Sequence, residues 1–80
     1  MDSMKASELN DLAQVRALMS SGVARSIRES KSITLGEAAQ ASGIAKSTLS
    51  RWERSQRQPT GKAAIRYMKG LRSLMGGRPS

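Results

Sequence analysis

The chain contains no cysteine and no histidine. Without thiols it can form neither a disulfide nor a thiolate metal site, and nothing implies an oxidising compartment. Without imidazole it lacks the commonest metal ligand and the commonest general base. Its six acids are scattered, and no two can be placed as a catalytic pair. Neither an enzyme nor a metal, cofactor or small-molecule substrate is therefore expected. Apolar stretches run for only a few residues, too short to cross a membrane. The opening "MDSMKASELNDLAQ" lacks the apolar core of a secretory signal, so a cytoplasmic protein is expected. Period-2 alternation, which would suggest half-buried strands, is also missing. At 80 residues the core can only be modest, and stability must come from packed helices or a partner chain.

What is present is positive charge, and it is unevenly placed. Of the net +8, residues 1–24 contribute −1 and residues 25–80 contribute +9. Such asymmetry points to a polyanion as partner of the second part, a nucleic acid or less often an anionic membrane.

The chain reads as helices nearly throughout. The first is expected to start from a cap at Ser7 and run through "ELNDLAQVRALMS", with Leu9, Leu12, Val15 and Met19 on one face. "SSG" at 20–22 should interrupt it, and "VARSIRES" follows with Val23 and Ile27 facing the same way. "TLGEAAQAS" opens with a capping box, Thr34 and Glu37 each serving the other's backbone N–H. Gly43 can take the left-handed conformation that ends a helix. The next helix is expected from near Ala45 to about Gln56, with Pro59 as its stop. Thr60 is expected to cap the last helix, which places Ala64, Met68, Leu71 and Met75 along one face. Residues 76–80 are expected to be a disordered tail.

The stretch "GIAKSTLSRWERSQRQP" carries the most information. At 100° per residue, Ala45, Leu49, Trp52 and Gln56 share one stripe of its helix. Lys46, Ser47, Ser50, Arg51 and Arg54 fall opposite. Trp52 is best read as a core anchor. The other stripe holds only basic and hydroxyl side chains, whereas a helix that merely faces water would mix signs. Glu53 lies between the two stripes and needs a cation, because an unpaired carboxylate near a core is costly.

A short helix, a glycine turn and a second helix with a polar outer face describe a helix-turn-helix. Over residues 23 to 75 the chain resembles the phage-repressor and Cro-type helix-turn-helix proteins. The likeness rests on "TLGEAAQASGIAKSTLSRWERSQRQP", in which Ala39, Gly43, Ile44, Leu49, Trp52 and Glu53 stand in the family's register. The resemblance implies an all-α, compact four- to five-helix domain spanning residues 1–80, with its helix-turn-helix unit at about 34–56. It implies sequence-specific binding of double-stranded DNA, on the nucleoid. Lys46, Ser47 and Arg51 fall where the family reads bases, and a cation there would favour guanine O6 and N7. Thr34, Ser50, Arg54, Arg57 and Lys62 would contact phosphates, and Arg28 would pair with Glu53. Lys62, Arg66, Lys69 and Arg72 also suit the wet side of an amphipathic helix.

Three positions depart from the pattern. The family usually has glutamine, touching a phosphate, where this chain has Leu35. Ser42 stands at a commonly apolar position, and Ala45 replaces a serine or threonine cap. The function expected is transcription regulation, most simply a repressor that occupies a pseudo-palindromic operator as a homodimer. Because the chain ends soon after the matching stretch, no effector domain is expected, as in a small Cro-like regulator. Two alternatives belong to other classes: an antitoxin-type interaction module, and an architectural or recombination-directionality DNA-binding protein. For the antitoxin, the N-terminal helix or the last five residues would hold the partner.

Overall fold

Helix boundaries follow from where the backbone finds partners for its end groups. The computed structural model describes residues 5–76, and these form five helices without a strand: α1 (Ala6–Ser20), α2 (Val23–Ser30), α3 (Leu35–Ser42), α4 (Lys46–Glu53) and α5 (Gly61–Leu74). Residues 77–80 of the expected tail lie outside the described residues. α1 starts earlier than the Ser7 cap suggests. The Glu8 carboxylate accepts the Lys5 N–H at 3.1 Å, so the orphan amide is served from three residues on and Ser7 falls inside the first turn. That amide, and then Lys62, hold the Glu8 carboxyl below the usual carboxylate range.

α3 has the reciprocal box: Thr34 Oγ1 accepts from the Glu37 N–H at 3.1 Å, and Glu37 Oε1 accepts from the Thr34 N–H at 2.9 Å. It ends at Gly43, at φ +68°. α4 is shorter than its apolar stripe implies, stopping at Glu53 and not at Gln56. Ser55 turns left-handed at φ +59°, its N–H donating to the Trp52 carbonyl (3.1 Å) while the Gln56 N–H donates to Arg51 (2.9 Å). This double closure ends the helix before Pro59 can. Ser32, at φ +58°, ends α2 in the same way through the Ile33–Arg28 and Ser32–Glu29 bonds. Thr60 does precede α5, yet its side chain makes no capping bond.

A serine in the left-handed region costs about 1–2 kcal/mol, partly offset by the greater unfolded-state freedom of glycine. Ser55→Gly is therefore expected to stabilise the chain by about 0.5–1 kcal/mol, raising Tm by a few degrees. Scanning calorimetry checks this, and a lower Tm for the glycine variant refutes it.

The core draws on every helix: Leu12, Val15 and Met19 of α1, Ala24 of α2, Ala39 of α3, Leu49 and Trp52 of α4, and Ala64, Tyr67, Met68 and Leu71 of α5. Ile44 plugs the turn between α3 and α4. α1 lies chiefly on α5, so the N-terminal helix joins the core. The stripes overreach at their ends. Leu9, Val23 and Met75, all at or near helix ends, are 53%, 42% and 51% exposed. Ala45 and Gln56 are exposed as well, lying outside the helix that would have aligned them with Trp52. No helix among the described residues is long and apolar enough to cross a membrane.

Candidate nucleic-acid interface

The face of interest is created by what sits behind it. Leu49 is fully buried, and Ile44 and Trp52 nearly so, which fixes one side of α4 inward. Ala39, 4% exposed, offers only a methyl group where α3 meets this packing. The opposite side of α4 is thereby committed outward: Lys46, Ser47, Arg51 and Arg54 are exposed and Ser50 is half-buried. No acid lies on that stripe.

Glu53 sits at its margin, and Arg28 of α2 holds it. Arg28 Nε and Nη2 donate to the two carboxylate oxygens at 2.8 Å each, while Nη1 donates to the Ile33 carbonyl at 2.8 Å. Both side chains are under a tenth exposed. A forked pair of this kind fixes orientation as well as charge. It ties α4 to α2 and to the loop before α3, so the outward stripe has one orientation. The bonds to Glu53 push the Arg28 guanidinium pKa up against the effect of burial. Tyr67 packs nearby in the core; burial, and then Glu53, push its hydroxyl up to about 12.

The remaining sequence-derived residues are spread around this stripe. Thr34 is exposed at the start of α3, with its hydroxyl oxygen engaged by the Glu37 amide. Arg54 donates to the Ser50 hydroxyl from Nε (3.2 Å) and Nη2 (2.7 Å), so two groups expected at phosphates are already gathered. Arg57 is exposed in the loop after α4. Lys62 stands apart, 3.1 Å from Glu8 of α1; with its side chain 66% exposed, solvent screens that pair, which does not lock it. Arg66 donates to the Ser42 carbonyl (3.2 Å), and Arg72 to Asp11 and Gln14 of α1 (both 2.7 Å). The last helix thus spends much of its positive charge on contacts within the chain.

Two arginines escape the sequence reading. Arg25 borders a groove of about 300 Å³ with Leu35, Ser50 and Arg54, floored by the Arg28–Glu53 pair. It pairs with Glu29 at 3.0 Å on the surface of α2. Its spacing three residues before Arg28 was the available signal. Arg16 of α1 donates from Nε to the Pro59 carbonyl at 2.9 Å, joining α1 to the loop after α4. No local pattern announces a contact between residues so far apart in the chain. Leu35, which stands where the family usually has a phosphate-touching glutamine, offers no side-chain donor, and it lines the same groove as Arg25, Ser50 and Arg54. Ala45 makes no side-chain cap to α4.

A family model described as helix-turn-helix matches residues 25–73, more than half of the chain. α1 lies before the matched region. No curated protein and no solved structure matches.

Proposed function

Because the chain belongs to the helix-turn-helix family of phage-repressor and Cro type, a family of DNA-binding transcription regulators, we propose that it is a repressor that occupies a pseudo-palindromic operator as a homodimer. α4 enters the major groove, Lys46, Ser47 and Arg51 read base edges, and Thr34, Ser50, Arg54, Arg57 and Lys62 meet phosphates. The observation that carries this reading is the acid-free, exposed stripe of α4, held outward by the buried Trp52 behind it. Such a protein works in the cytoplasm, on the nucleoid.

Selection of bound duplexes from a random library tests it directly. Two inverted half-sites roughly 34 Å apart, one DNA turn, are the expected result. A binding constant that does not fall between low and moderate salt would rule out the mechanism, since each neutralised phosphate releases counterions.

The residue roles separate by a second measurement. Arg51→Ala and Ser47→Ala should each cost about 1–3 kcal/mol on the preferred site and relax base preference. Arg57→Ala should weaken all sequences alike and reduce the salt slope by about 1. Uniform losses from all three variants in fluorescence anisotropy refute the assignment of base readers.

An antitoxin-type role has less support from α1, whose Leu12, Val15 and Met19 are committed to the core and unavailable to a second protein.

A further inference from the structure

α1 precedes the matched family region, and its charges are sorted by position. Its acids Glu8 and Asp11 are taken up by Lys62 and Arg72 of α5. Its one base within the helix, Arg16, points instead to the loop after α4. There α1 and that loop enclose a groove of about 310 Å³ lined by Arg16, Ser20, Trp52, Ser55, Arg57 and Pro59 among others, with no acid in its wall. Arg16 Nε is occupied by the Pro59 carbonyl, which fixes the guanidinium and leaves its terminal N–H donors to spare. Among the described residues neither Arg16 nor Arg57 forms an ion pair. Ser20, exposed on the rim, bonds only to the Ala17 carbonyl of its own helix. The groove adjoins the C-terminal end of α4, whose outer stripe is the DNA-facing one in the reading above.

We propose that this groove holds a backbone phosphate of duplex DNA, gripped by Arg16 and Ser20 of α1 and Arg57 of the loop, so that the interface extends onto an element outside the helix-turn-helix. The occupant is chosen by complementarity and place. Two guanidiniums with hydroxyls around an acid-free hollow suit a phosphate oxygen. The hollow meets the helix proposed to enter the major groove at Trp52, near its C-terminal end, beside the loop that carries Arg57.

The proposal rests on DNA binding, and the test keeps the two apart. Anisotropy titrations of a fixed duplex would compare the unaltered chain with Ser20→Asp, Arg16→Gln, Arg16→Lys and, as a remote control, Ser73→Asp. Circular dichroism would monitor the fold. Ser20→Asp and Arg16→Gln are expected to bind several-fold more weakly at low salt. Each should also flatten the log–log salt dependence by about 0.9, the loss of one phosphate contact. Arg16→Lys retains the charge and most of the slope, and Ser73→Asp changes neither quantity.

If the unaltered chain binds with a steep salt slope and Ser20→Asp and Arg16→Gln match it, the groove is empty on DNA and the proposal is wrong while the DNA-binding reading stands. Equal weakening by Ser73→Asp would reduce the effect to general repulsion and overturn the proposal too. So would inorganic phosphate raising Tm through Ser20 and Arg16 with DNA affinity unaltered. Absence of binding by the unaltered chain defeats both readings.

Discussion

Glu53→Ala is expected to lower the thermal unfolding midpoint by more than about 10 °C. Among the described residues, the carboxylate it removes is the only acid bonded to the buried Arg28 guanidinium, which it engages with both oxygens. Arg28 cannot discharge itself by losing a proton, because guanidinium stays charged at any ordinary pH. It must either remain unpaired in a site under a tenth exposed or pull away and abandon the Ile33 carbonyl. Breaking such a pair costs about 3–5 kcal/mol, most of it the desolvation of the charge left behind. That is a large share of the roughly 4–12 kcal/mol that stabilises a chain this size. Removing both charges should be milder. In Arg28→Met/Glu53→Leu no lone ion is buried, so the double variant regains part of the loss, limited by the orphaned Ile33 carbonyl. A Glu53→Ala midpoint equal to the parent's would show that the pair holds nothing together.

Trp52→Ala is the second large effect, and its cause is a void. The indole, 3% exposed, fills space between α4 and the rest of the core, where α1 also packs. Truncating a buried tryptophan costs about 3–5 kcal/mol in lost transfer energy and residual cavity. Trp52→Phe leaves a smaller hole and should fall between the parent and the alanine variant in chemical denaturation. Function suffers for a separate reason: the indole seats α4 with its basic stripe outward. At a temperature where Trp52→Ala is still folded, its affinity for duplexes should drop although no residue facing DNA has changed. Full affinity in a folded Trp52→Ala chain would show that α4 keeps its orientation without the indole.

These two variants concern the part of the molecule most legible in the sequence. The tryptophan stripe, the Thr34–Glu37 box and the Gly43 turn are each set within one or two helical turns, so local rules reach them. The boundaries that failed depend on other things. Ser55 adopts a left-handed backbone conformation that serine does not advertise and closes α4 before Pro59 would, whereas α2 ends at Ser30 as its sequence suggests. Leu9 and Met75 continue their helices' apolar spacing but lie near helix ends and stay half exposed, which periodicity cannot register. At the candidate interface, the exposure of Lys46, Ser47 and Arg51 follows from the same spacing that buries Leu49 and Trp52. The involvement of Lys62 with Glu8, and of Arg16 with Pro59, was not legible, because both contacts are made by the docking of α1.

α2, α3 and α4 are eight residues each, scarcely two turns. Segments below about 12–15 residues are marginal as lone helices in water, since one costly nucleation event must be offset by too few bonds. A synthetic mimic cut from Lys46–Glu53 would therefore be largely random coil and present none of its side chains in fixed array. The surface that α4 offers is a property of the assembled bundle, and grafting it elsewhere would mean carrying the scaffold along.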